Sequence, residues 1–122
     1  MSKLLIIDDD PNMANLLRTL LELEGYDVVS TREWTGIVDF AVHEQPDLIL
    51  MDCILPDIEG VDILKSIRSQ EAISTIKVVM TSGINMIEEC MSAGADAFLL
   101  KPYNPDVLTQ TIKDHLIDSA EG

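Results

Sequence analysis

Three consecutive aspartates, Asp8, Asp9 and Asp10, follow the aliphatic run Leu4 to Ile7, and a fourth, Asp52, follows a second run, Leu48 to Met51. A carboxylate at the end of a buried strand needs a partner, because desolvating an unpaired charge is expensive. Two such strands ending side by side bring several carboxylates to one sheet edge. Two carboxylates ~5 Å apart repel by about 3 kcal/mol at an effective dielectric near 20. Such a cluster calls for a hard cation. Two further residues end apolar runs in the same way. Ser82 closes Ile76 to Thr81, and Lys101 closes Ala97 to Leu100, directly before Pro102.

The elements that must carry these residues follow from the apolar pattern. Short aliphatic runs predict strands over 3–8, 26–31, 47–52, 76–82 and 97–101, and the third is apolar on both faces, as at the centre of a parallel sheet. Between them lie helical patterns. Asp10 caps the first, with Pro11 at its opening position, Met13, Leu16, Leu17, Leu20 and Leu23 at helical spacing, and Gly25 as its stop. The second runs from Trp34 to Glu44, with Val38, Ala41 and Val42 inward and Pro46 after it. Pro56 and Gly60 bracket a loop. A third helix carries Val61, Ile63, Leu64 and Ile67, and a fourth spans Ile84 to Ala93, closed by Gly94. A fifth starts at Asn104-Pro105, with Val107, Leu108, Ile112 and Leu116, and frays from Ser119.

Five strands alternating with five helices predict an α/β domain with a doubly wound parallel sheet and right-handed crossovers. In such sheets the binding crevice lies beyond the C-terminal strand ends. Asp8, Asp9, Asp52, Ser82 and Lys101 all fall on that rim.

With 122 residues the chain fits one domain, 1–122, with its core over about 3–117. Hydrophobic residues make up 47% but aromatics only 4%, so the core is aliphatic. A net charge of −14, with eight scattered basic residues, argues against nucleic-acid phosphates as ligands. The first apolar run is broken at Asp8, unlike a signal peptide, and no stretch reaches membrane-spanning length. A cytoplasmic setting follows, with Cys53 and Cys90 as free thiols. Cys53, a lone thiol beside acids, is expected to have a raised pKa and be unreactive. Cys90 is expected to pack in its helix. His43 and His115 lie on separate helices and offer no paired site.

Four motifs in order carry a family resemblance: residues 6–11 (Ile-Ile-Asp-Asp-Asp-Pro), residues 47–60 around Asp52, residues 80–83 (Met-Thr-Ser-Gly), and residues 94–102 ending in Lys101-Pro102. The chain resembles the receiver (response-regulator) domain of two-component signalling from Lys3 to about Ile117. The resemblance implies a flavodoxin-like sheet of order 2-1-3-4-5. It makes Asp52 the phosphoacceptor, taking a phosphoryl group from a sensor histidine kinase or a histidine phosphotransfer protein. It makes Asp9 and Asp52 direct ligands of Mg²⁺ (or Mn²⁺), together with the backbone carbonyl of Ile54, while Asp8 acts mostly through bound water. Such a site suits Mg²⁺, which keeps several waters and uses one or two carboxylates with phosphate oxygens. Lys101 would hold Asp52 and then the phosphoryl oxygens, and its bond to Pro102 is a candidate cis peptide.

Ser82 aligns with the Ser/Thr switch. Thr81 is its rival, pointing to the other side of the strand. Phe98 occupies the aromatic switch position and equally suits an ordinary core aromatic. Asp10 needs no role beyond its cap, and Trp34 reads as a partly exposed anchor.

The stretch between Ser82 and Lys101 is a few residues shorter than usual for receivers, in or before the fourth helix. Met86, Ile87 and Met91 make that segment an apolar, adaptable surface. Ile54 and Ile84, two residues beyond Asp52 and Ser82, should hinder attacking water, implying a long-lived phosphorylated state. The expected outputs are a downstream effector or a C-terminal output domain outside this chain. A regulatory rather than enzymatic role follows, with no nucleic acid or membrane as partner. Two rivals use the same fold: an interaction module that has lost phosphorylation, and a flavodoxin-like cofactor binder. The acid pair with Asp52 and Lys101 opposes the first. The loop Asp8-Asp9-Asp10-Pro11, which repels phosphate, opposes the second.

Overall fold

Each aliphatic run becomes a strand, and the computed structural model describes residues 2–121, with side chains as far as Leu116. The last helix runs on to Glu121, past Ser119 where fraying was expected; only Gly122 of that tail lies outside the described residues. The order is β1 (Lys3–Ile7), α1 (Pro11–Leu23), β2 (Asp27–Thr31), α2 (Ile37–Glu44), β3 (Leu48–Asp52), α3 (Gly60–Ser69), β4 (Lys77–Ser82), α4 (Ile87–Ser92), β5 (Ala97–Leu100) and α5 (Pro105–Glu121). A hairpin of Ile54–Leu55 with Ile58–Glu59 fills the loop before α3, and a single 3₁₀ turn, Glu71–Ile73, follows it. The five long strands form one parallel sheet, β2-β1-β3-β4-β5. This is the flavodoxin-like order that the motifs imply.

Strand alternation splits the core into two layers. Leu5, Ile7, Ile49, Met51, Val78 and Met80 face α2, α3 and Cys90 of α4. Leu4, Ile6, Leu48, Leu50 and Val79 face α1 and α5. All five residues of β3 are buried, as its two-sided apolarity requires.

The helices depart from the sequence reading in which face α1 buries and in where α2 and α4 begin. In α1 the inward stripe is Ala14, Leu17 and Leu21, while Leu16 and Leu23 face solvent. Asp10 does cap it, accepting from the amides of Asn12 and Met13. Helix α2 starts at Ile37 rather than Trp34, because Gly36 takes a left-handed conformation (φ 82°) that stops the helix extending backward. Ile37 and Ala41 are buried there, with Val38 and Val42 partly so. Helix α4 starts at Ile87 rather than Ile84. The Ser82 hydroxyl accepts from the Ile84 amide and the Asn85 side chain from the Ile87 amide, so both offer the backbone a turn instead. In α5, Leu108, Ile112 and Leu116 are buried, and Val107 is exposed.

One polar clasp was not legible in the sequence. Arg68, in the last turn of α3, donates to the carbonyls of Ser74, Ile76 and Gly94 and to the Asp96 carboxylate. Asp96 also accepts from the Val78 amide. The clasp fixes where β4 and β5 enter the sheet.

Candidate functional site

Strand register assembles the site. β1 pairs with β3 so that Ile7 lies beside Met51, and the residues that follow, Asp8 and Asp52, are neighbours at the rim. Asp8, Asp9 and Asp52 each offer a carboxylate oxygen, all within 4.8 Å of one another. Asp8 and Asp52 are buried, and Asp9 is half-buried. Asp8 also accepts the Asp10 amide at 2.9 Å, which turns the chain into α1.

Lys101 arrives from the other side of β4. Its amide donates to the Ser82 carbonyl at 2.7 Å, and its Nζ lies 3.0 Å from Asp52 Oδ2 and 3.8 Å from Asp8 Oδ2. The peptide bond from Lys101 to Pro102 is cis. One ammonium, in contact with two of the carboxylates, therefore serves a cluster of three, an excess of negative charge that suits a divalent cation. Burial pushes the Asp8 carboxyl above the ordinary range, and Asp52 and Asp9 add to this against the Asp10 amide and Lys101. Burial alone would lower the Lys101 pKa, but its bond to Asp52 and the charges of Asp52 and Asp8 raise it overall.

The loop after β3 is set by backbone contacts. The Cys53 amide donates to Thr81, and the Gly60 amide to the Cys53 carbonyl. A Cβ on Gly60 would collide with the carbonyl oxygen of Asp52 and lie 3.0 Å from Cys53 Cα, so only glycine fits. Ile54 opens the hairpin just beyond and is exposed.

Ser82 and Phe98 lie on the sheet face that carries α4. Phe98 pairs with Met80 and packs, partly buried, against that layer. Ser82 is buried, and its hydroxyl approaches Met86 Sδ at 3.8 Å while accepting from the Ile84 amide. The hydroxyl is thus engaged with the start of α4 and makes no hydrogen bond to Asp52 or Lys101 among the described residues. Thr81 is the ladder partner of Asp52.

Two features of the site had no sequence signal. Tyr103 is half-buried, and burial together with Asp8 and Asp52 raises its pKa against the pull of Lys101. Cys53 is not a lone thiol. Its sulfur lies 3.1 Å from that of Cys90, both residues being free and fully buried. Burial leads the rise in both thiol pKa values, in keeping with the raised pKa expected of Cys53.

The response regulator receiver domain profile matches residues 4–113. The chain belongs to this family, and so is a receiver domain of two-component signalling. It is 33% identical over 116 residues to the DNA-binding dual master transcriptional regulator RpaA of Synechocystis, covering 93% of this chain and 48% of that protein. The chain thus spans about half the length of RpaA. It is 31% identical over 118 residues to the polar-differentiation response regulator DivK of Brucella ovis, covering 94% of this chain and 96% of DivK. Among solved structures, a CheY-like receiver domain protein from Methanospirillum hungatei superposes with a TM-score of 0.90 at 32% identity, over 100% of this chain and 99% of that one. The receiver domain of a sensor histidine kinase from Pseudomonas aeruginosa, solved with a magnesium ion in its active-site cleft, gives 0.84 at 25% identity, over 94% and 97% of the two chains. No helix among the described residues is long and apolar enough to cross a membrane.

Proposed function

We propose that this receiver domain is a phosphoacceptor switch working through Asp52. The observation that carries the reading is the Lys101 ammonium held 3.0 Å from Asp52 amid the converging carboxylates of Asp8 and Asp9. An Asp52 carboxylate oxygen attacks the phosphorus of a phosphohistidine on a sensor histidine kinase or phosphotransfer protein. The new O–P bond forms as the P–N bond breaks, and the bonding pair returns to the imidazole nitrogen. The product is an aspartyl phosphate.

The donor set fits Mg²⁺ or Mn²⁺: hard oxygens, clustered, with one cation too few. Asp9, Asp52 and the Ile54 carbonyl would hold the ion directly, and Asp8 through water. When bound, it neutralises charge shared between these acids and the phosphoryl oxygens. Lys101 shifts its ammonium from the Asp52 carboxylate to a phosphoryl oxygen, where charge spreads in the transition state. Ser82 leaves the Ile84 amide and Met86 to donate to the phosphoryl group, drawing the start of α4 inward. Phe98, on the same face, follows.

Such a domain promotes only its own phosphorylation and dephosphorylation, and its product is an altered surface read by an effector or an output domain. The exposed side chains of Ile84, Ile87 and Met91 lie where that change would surface. The setting that suits this chemistry is the cytoplasm. Beryllofluoride with Mg²⁺, a stand-in for the phosphoryl group, tests the switch. Amide resonances of residues 82–92 and 98 are expected to move. Unmoved resonances would return the chain to a phosphorylation-independent interaction module.

A further inference from the structure

Cys53 and Cys90 are 37 positions apart in the chain, yet their sulfurs are 3.1 Å apart in the buried layer beneath α4. A disulfide bond is about 2.05 Å long, so a movement of about 1 Å would join them. Each partner has a telling position. Cys53 directly follows Asp52, and its backbone is tied to Thr81 and Gly60. Cys90 is the buried residue of α4, a helix of six residues whose first-turn neighbour Met86 touches the Ser82 hydroxyl. The two sulfurs therefore link the strand that presents the acid to the helix that adjoins the switch serine.

We propose that Cys53 and Cys90 are an oxidisable pair, closed to a disulfide by hydrogen peroxide, that pins α4 to the end of β3. The Cys90 sulfur attacks the peroxide O–O bond and becomes a sulfenic acid, and one oxygen leaves as water with the thiol proton. The Cys53 sulfur then attacks the sulfenic sulfur and displaces a second water. Two thiols and one peroxide give one disulfide and two waters, the two electrons passing to the peroxide. Both sulfurs are fully buried, so the oxidant reaches them when α4 opens. A helix this short has little stability of its own, which makes that opening accessible. Closure then forbids it. The crosslink rests on the sulfur contact alone. Only its consequence for signalling rests on the phosphoacceptor reading.

The test treats the reduced native protein with hydrogen peroxide, quenches, denatures, alkylates with N-ethylmaleimide and measures intact mass, with no phosphodonor present. The expected product carries no alkyl group, is lighter than the reduced chain by two hydrogens, and yields one peptide pair joined through Cys53 and Cys90. Dithiothreitol should restore two alkylations, and Cys90→Ser should form no such pair. Amide exchange over residues 87–92 should slow several-fold in the oxidised protein. Two alkylated cysteines after peroxide, links only between chains, or sulfinic acid without a crosslink would overturn the proposal, even if Cys90→Ser fails to fold. Unchanged exchange in a crosslinked chain would overturn the pinning. Failure of phosphorylation at Asp52 would leave each of these outcomes as it stands.

Discussion

Asp8 holds its charge in the least favourable place in the site, buried and facing two other carboxylates with one ammonium shared between them. Burial, aided by Asp52 and Asp9, raises its pKa. A carboxyl whose folded pKa lies above its unfolded value of about 3.9 weakens the fold as pH rises through the folded value, because the unfolded chain gives up the proton first. Asp8→Asn keeps the shape and the acceptor for the Asp10 amide while removing the charge. It should be more stable than wild type at pH 7, with the gain vanishing below about pH 4. Urea denaturation across that range checks this, and an equal or weaker variant at pH 7 would count against it.

Ile54 tests the residue scale differently. Its exposed side chain stands two residues beyond Asp52, and Ile54→Asn should shorten the life of the phosphorylated state several-fold by admitting water. An unchanged decay of label would remove Ile54 from that role. The acids and Lys101 were legible because a charge closing an apolar run stands out in one dimension. Tyr103 and the Cys53–Cys90 contact were not, because their neighbours come from distant strands and helices.

Elements position the site through backbone contacts as much as side chains. The start of α3 presses against the end of β3 at Gly60, and a methyl group there meets only backbone of Asp52 and Cys53. Neither can yield without moving the acid. Gly60→Ala should lose about 1–3 kcal/mol of stability and also slow phosphorylation, since Asp52 shifts with the loop. Full activity in a folded variant would show that the loop relaxes elsewhere. Strand placement and order were readable because aliphatic runs and their alternation are strong signals. Helix starts were not. Gly36 at a left-handed angle and the polar turns made by Ser82 and Asn85 shortened α2 and α4 by local geometry that apolar spacing does not record. In α1 the buried residues are Ala14, Leu17 and Leu21, at spacings of three and four, and Leu16 falls on another side of the helix.

The whole molecule carries a net charge of −14, so self-repulsion opposes folding and any cation relieves it somewhat. The acid cluster should add a specific term to this general one. At matched ionic strength, Mg²⁺ at about 100 times its Kd should stabilise wild type by about 3 kcal/mol beyond the effect of Na⁺, seen as a rise of several degrees in Tm. Asp9→Asn should lose most of that increment. A Mg²⁺ effect equal to that of Na⁺ would mean the carboxylates act only as diffuse charge. Two layers of helices shield the sheet faces, which leaves the rim of strand ends as the place where this charge can be used. The most direct measurement there is intact mass after incubation with acetyl phosphate and Mg²⁺. Wild type should gain a single phosphoryl group that chelation of the metal prevents, and Asp52→Asn should gain none. A wild-type chain that stays unmodified, or an Asp52→Asn chain modified equally well, would contradict the assignment of Asp52.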